Sequence, residues 1–169
     1  MGQDTTINLR EENLILDKEI LKAELKKIPK AEDQIISLKV KAQDLYDLEE
    51  EYTQTQVDKY CILEDKEHSS QLAPLKNFIS EVFIGQKVSW DGQSIEDGYT
   101  VLIDSITYKP EFLEEFQPIR GLEGKITSKI NNDKELEGKI LEYKINFSIY
   151  KDGVAPKYFM IDPKLCANT

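Results

Sequence analysis

Cysteine, histidine and tryptophan are scarce in this 169-residue chain, which has two cysteines, one histidine and one tryptophan. Cys61 and Cys166 stand far apart, so neither a disulfide framework nor a zinc-ligand spacing can be written. A Cys/His nucleophile pair would have to join Cys61 to His68 without an evident oxyanion donor, and a surface histidine is the simpler reading. The eight glycines are scattered through turns, which excludes a Gly-rich phosphate loop. No apolar run reaches the length of a membrane span, and charge begins at once with Asp4, Arg10, Glu11 and Glu12. Neither membrane contact nor a signal peptide is expected, and a reducing, intracellular compartment is. Basic residues are in deficit, 22 against 32 acidic for a net charge of -10, so direct nucleic-acid binding is not expected. Asp91, Asp97, Asp104 and Asp152 each suit a turn or an exposed strand position. No catalytic residue, cofactor or metal ligand is assigned, and no enzyme activity is expected.

Glycine is also absent from Asn8 to Glu67, and Pro29 is the lone proline there, while apolar residues recur at intervals of three and four. That pattern predicts a long coiled-coil helix over residues 5–68, kinked near Pro29, where the backbone loses a donor. Some sixty helical residues would reach roughly 90 Å and need a partner helix. The expected dimerisation seam runs through Leu9, Asn13, Leu16 and Ile20, then Ile28, Ile35, Leu38, Ala42, Leu45 and Tyr52. Ala31 lies on the same stripe and Glu49 interrupts it; Leu14, Leu21 and Ile28 form a competing stripe. Isoleucine and a lone asparagine at alternate seam positions favour a parallel homodimer. The acidic run Asp47, Glu49, Glu50, Glu51 reads as a solvated face.

Residues 69–169 read as a globular head. Leu72, Leu75, Phe78, Ile79, Val82 and Phe83 predict a short amphipathic helix ending before Gly85, with Ser69 or Ser70 as its cap. Strands are predicted over Lys87 to Asp91 and Tyr99 to Tyr108, with a turn around Asp97 and Gly98. Leu141, Tyr143, Ile145, Phe147 and Ile149 alternate with polar residues, so five apolar side chains share one strand face. Lys151, Asp152 and Gly153 turn that strand into Val154 to Ile161 as a hairpin. Residues 109–138 read as an irregular insertion with one short strand at Lys125 to Ile130, serving either as a binding loop or as a mobile excursion. Tyr158, Phe159 and Met160 are candidate partner-binding residues: neighbours on a strand face opposite ways, so one of the two aromatics lies on a docking surface or under a covering helix.

Three segments carry a family resemblance: Asn8-Leu9-Arg10-Glu11-Glu12-Asn13-Leu14-Ile15-Leu16, Leu75-Lys76-Asn77-Phe78-Ile79 and Ile140-Leu141-Glu142-Tyr143-Lys144-Ile145-Asn146-Phe147. With the layout they sit in, they resemble the core subunit of the fungal monopolin complex, the kinetochore and nucleolar crosslinker. The resemblance implies an α+β protein: a long N-terminal parallel coiled-coil helix and a small RWD-like head with an antiparallel sheet and flanking helix. It also implies a nuclear, homodimeric adaptor that tethers kinetochore proteins through paired heads and joins a second subunit at the N-terminal end of the coil. RWD heads close with a C-terminal helix, for which Pro163 to Thr169 leave little chain. The alternative is a coiled-coil structural subunit of an assembly unrelated to kinetochores.

Overall fold

Gln34–Val40 alternate cleanly: Ile36, Leu38 and Val40 are fully buried, while Ile35, Ser37 and Lys39 face outward. Period two is a strand signature, and this segment is β1. The computed structural model describes residues 31–71, 75–114, 117–118 and 124–169. β1 pairs antiparallel with β2 (Cys61–Glu64), and Lys39 meets Glu64 across the pair at 2.8 Å. Between them the chain makes two short helices, α1 (Ala42–Tyr46) and α2 (Gln54–Lys59), the second opened by a Thr53–Gln56 capping box.

These elements overturn the coiled coil over residues 31–68. Leu38, Ala42 and Leu45 are buried in the core of one subunit, Ile35 lies on the outer side of β1, and Tyr52 sits in the turn before α2. The remaining seam residues Leu9, Asn13, Leu16, Ile20 and Ile28 lie outside the described residues. The physical reason is a shared spacing. Ile35, Leu38, Ala42 and Leu45 satisfy a helical stripe, but Ile36, Leu38 and Val40 satisfy a strand, and β-branched residues together with a nearby antiparallel partner favour the strand.

The α+β architecture with an RWD-like head is corrected as well, because the described chain is dominated by strands. After a 3-10 turn (Leu75–Asn77) come β3 (Ile79–Phe83), β4 (Lys87–Ser94), β5 (Tyr99–Thr107), β6 (Gln117–Pro118) and β7 (Ile126–Lys129). A second 3-10 turn (Lys134–Leu136) leads to β8 (Ile140–Glu142), β9 (Lys144–Lys151), β10 (Val154–Ile161) and β11 (Lys164–Asn168). They form three sheets, ordered β2-β1-β4-β7-β6, β10-β9-β5 and β3-β11-β8. The β1–β4 and β3–β11 pairs are parallel and join segments distant in the chain.

In the segment predicted as a helix, residues 75–83 form the 3-10 turn and β3, and Leu75, Phe78, Val82 and Phe83 are buried all the same; Leu72 lies outside the described residues. Ser70 caps no helix; its hydroxyl accepts from the Leu63 N–H at 2.7 Å. The irregular insertion also proves structured where it is described. It contributes β6, β7 and a Leu113–Ile130 bridge, and it buries Phe112, Leu113, Ile130 and Leu136.

The predicted strands at 87–91, 99–108 and 125–130 are present, as is the 151–153 hairpin turn, where Gly153 takes φ +75°. All five alternating residues from Leu141 to Ile149 are buried. They do not form one strand, however. The chain switches sheets at Tyr143: β8 pairs with β11, whereas β9 pairs with β5 and β10. Trp90 Nε1 donates to the Tyr143 hydroxyl at 3.1 Å, which ties β4 to this joint. Gly92 lets β4 pass close to β5, since a Cβ there would stand 3.0 Å from Val101 Cγ1 and 3.3 Å from its carbonyl oxygen.

Candidate ligand-binding face

Asp65 and His68 lie after β2 and Ser80 lies in β3, a trio in contact but not in nucleophilic order. Ser80 Oγ donates to Asp65 Oδ2 at 2.7 Å rather than to the imidazole. The two His68 nitrogens face Asp65 Oδ1 and the Ile79 carbonyl, each at 2.8 Å, and the ring stacks on Phe78. Neither nitrogen is left for a nucleophile. Cys61 is buried in β2, and burial, with Asp58 nearby, pushes its thiol well above the usual range. The trio therefore anchors the loop after β2 to β3. Among the described residues no group of three or more His, Cys, Asp and Glu side chains could hold a metal ion.

The outward face of the β10-β9-β5 sheet has a different composition. Because β9 turns Ile145, Phe147 and Ile149 inward, Lys144, Asn146, Ser148 and Tyr150 share the opposite side. A bulge in β5 between Ile103 and Ser105 places Asp104 beside them. Ser148 Oγ donates to Asp104 Oδ1 at 3.0 Å, and Asn146 Nδ2 donates to Ser105 Oγ and Thr107 Oγ1, both at 2.9 Å. Burial raises the Asp104 carboxyl above its ordinary range, with the Ser148 hydrogen bond working against that rise. Asp104 Oδ2 and Asn146 Oδ1 have no hydrogen-bond partner among the described residues.

β10 closes one side of this face, and its free edge is capped from the α1–α2 segment. Tyr46 hydroxyl donates to the Ala155 carbonyl, Tyr52 hydroxyl to the Tyr158 carbonyl, and Gln54 Nε2 to the Met160 carbonyl, at 2.7, 3.5 and 2.7 Å. Lys157 Nζ reaches back to the Tyr46 carbonyl. An edge strand so occupied is protected from pairing with another chain. Gln54 Nε2 also donates to Asp58 Oδ1 at 2.8 Å, which links α2 to the edge.

The three partner-binding candidates divide as alternation requires. Phe159 turns inward between Tyr52 and Phe147, at ring separations of 5.4 and 5.9 Å. Tyr158 points out and is 64% exposed, and Met160 is half-buried beside it. With Tyr52, Gln54, Asp104, Ser105 and Asn146 they line a groove of about 400 Å³. Interaction with Tyr150 is the main cause that raises the Tyr158 phenol, with Asp104 adding to it. The sequence pointed to Tyr158 and Met160 but missed Asp104, Asn146 and Gln54, because their convergence depends on the bulge and on strand pairing.

A second cavity, of about 510 Å³, opens at the sheet-switching joint. Lys76, Lys109, Lys144 and Lys164 line it together with Thr107, Glu142 and Asp162. The β11–β8 register sets Lys164 opposite Glu142, and the β5–β9 register sets Thr107 opposite Lys144.

Asp58 offers a test of the edge capping. Its carboxyl is raised mainly by burial, against the Gln54 hydrogen bond; Asp162 adds to the rise and Lys76 opposes it. The folded state thus holds this proton more tightly than the unfolded chain. Its charge weakens the fold as pH climbs from the ordinary carboxylate range through the raised value, and the full penalty remains above it. Asp58→Asn retains an acceptor for Gln54 and removes the charge. Its Tm is expected to exceed that of the parent at pH 7, with the advantage shrinking as pH falls to about 4. Paired thermal melts read this, and an advantage independent of pH would contradict the burial argument.

No family model matches the chain, and no curated protein matches it. Among solved structures, the fold is similar to the crystal structure of inclusion body protein PixA from Burkholderia cenocepacia J2315. The TM-score is 0.57 at 12% sequence identity, and the match covers 83% of this chain and 97% of that one. At this identity the likeness concerns the fold. It overturns the monopolin resemblance, since the architecture matched is a β-rich protein with short helices in place of a coil and RWD head. The kinetochore adaptor and its coiled-coil assembly alternative fall with it. So does the nuclear localisation, which rested on that resemblance alone.

Proposed function

We propose that this protein is a non-enzymatic recognition module that binds a saccharide in the groove beside Tyr158. The observation that carries the reading is an exposed tyrosine ring next to acceptors without a partner among the described residues, Asp104 Oδ2 and Asn146 Oδ1, on one sheet face. A sugar presents apolar C–H faces, which pack on an aromatic ring, and hydroxyl donors, which seek acceptors. Asp104 is exposed on this face, so the carboxylate oxygen that Ser148 leaves free is accessible to a sugar hydroxyl. The neutral Ser105–Asn146–Thr107 ladder suits hydroxyls better than a metal cation, which would call for more than one carboxylate.

A printed array of neutral and acidic oligosaccharides, followed by calorimetry on the hits, tests the reading. Tyr158→Ala is expected to weaken the best ligand on the order of tenfold or more while leaving the melting curve near that of the parent. Unchanged affinity in that variant, or an array without hits, would refute it.

A second reading is self-association into inclusion bodies, favoured by the fold likeness to a protein named for them and by the exposed Ile95, Ile140 and Val154. Light scattering over a concentration series separates it from recognition of a soluble ligand.

A further inference from the structure

We infer that the saccharide is an anionic one, with its charged group seated over Lys109 and Lys144. This rests on the saccharide reading and specifies its ligand. The lysine-lined cavity and the tyrosine groove are neighbours: Asn146 lines the groove, Thr107 lines the cavity, and the two share a 2.9 Å hydrogen bond. Lys144 lies two residues before Asn146 on the same outward side of β9, and Thr107 is its cross-strand partner on β5. From Lys144 to Ser148, which pairs with Tyr158, is about 13 Å along the strand, a span for a short oligosaccharide rather than one ring.

Charge supports the same conclusion. The chain carries ten more acidic than basic groups, yet the cavity gathers four lysines against two carboxylates. None of the four makes an ion pair among the described residues, whereas Lys39 and Lys66 do. Glu142 is the register partner of Lys164 on β11, and Asp162 follows Ile161, whose register partner Ile145 adjoins Lys144, so the two carboxylates offset two of the four lysines and leave an excess of two positive charges. Lys109 and Lys144 lie on the β5–β9 side of the cavity, the side nearer the groove. A uronate, sulfate or phosphate ester on the sugar would complement them, and it would overcome an otherwise repulsive protein only at close range.

The array already described separates these sources, because it carries neutral oligosaccharides with their uronate, sulfated and phosphorylated counterparts. The expected result is binding to anionic members on the order of tenfold tighter than to their neutral parents, weakening as salt rises. The double variant Lys109→Ala/Lys144→Ala, checked for folding by circular dichroism, is expected to lose most of that advantage and its salt dependence while changing neutral binding far less. Equal affinity of parent and double variant for the anionic ligand overturns the inference, as do hits confined to neutral sugars. Anionic hits insensitive to Tyr158→Ala would overturn it too, since the lysines would then hold an anion without the groove. Neutral hits that depend on Tyr158 but not on the lysines leave the saccharide reading standing, whereas no hit at all removes both.

Discussion

Replacing Trp90 by alanine is expected to lower the unfolding free energy by about 3–5 kcal/mol, the range for emptying a large buried aromatic site. Trp90 is almost completely buried in β4, so little collapse can refill its volume. The loss also leaves the Tyr143 hydroxyl without the indole donor. Tyr143 is wholly enclosed, and burial holds its phenol far above the ordinary range, the Trp90 hydrogen bond working against that rise. A hydroxyl stranded there adds a desolvation cost. Trp90→Phe separates the contributions, since it restores most of the volume and none of the N–H; a loss of about 1–3 kcal/mol is expected. Trp90 is the only tryptophan, so urea unfolding has to be followed by far-ultraviolet circular dichroism rather than indole fluorescence. A Trp90→Ala midpoint close to that of the parent would contradict the position of this side chain at the joint between sheets.

The second large effect is expected at Asp65. Its side chain is fully buried, and it accepts from the Glu67 and His68 N–H groups at 2.9 and 3.0 Å. Ser80 and the His68 ring complete its contacts at 2.7 and 2.8 Å. Asp65→Ala strands several of these donors together, two of them in the backbone, and is expected to cost about 3–5 kcal/mol. Asp65→Asn keeps one acceptor and gains a donor that can turn to Ser80, so it is expected to cost distinctly less. Chemical denaturation of both variants checks the order. Should alanine and asparagine prove equally harmless, the loop after β2 is not held to β3 through this carboxyl. Since Asp65 stands apart from the Tyr158 groove, the fraction that folds is expected to keep the saccharide affinity of the parent.

Legibility in the sequence followed the range of the interactions. The hairpin of β9 and β10 could be read directly, because the alternating Ile145, Phe147 and Ile149 and a Lys-Asp-Gly turn are local signals. The segment from Ile35 to Val40 read as helix because its apolar positions satisfy both periods over so short a stretch, whereas Ala42 and Leu45 do fall in a helix, the short α1, though not in a continuous coil. What resolves the ambiguity lies elsewhere in the chain: Cys61–Glu64 on one side of β1 and Lys87–Ser94 on the other. Tyr52 illustrates the same limit. Its place at seven-residue spacing from Leu45 suggested a seam, whereas it caps the edge of a strand about a hundred residues later.

By itself, then, the amino-acid order determined which strands of the C-terminal half alternate, where they turn, and that Tyr158 and Phe159 must face opposite ways, because side-chain direction in a strand depends only on position. Tertiary structure alone decided that residues 34–40 become a central strand and that the strand from Leu141 breaks at Tyr143. It likewise decided that Asp104, Asn146 and Tyr158 meet on one face beside Lys144. Those outcomes depend on hydrogen bonds and packing between distant segments, whose free energy exceeds the modest differences in local propensity that a sequence pattern can express.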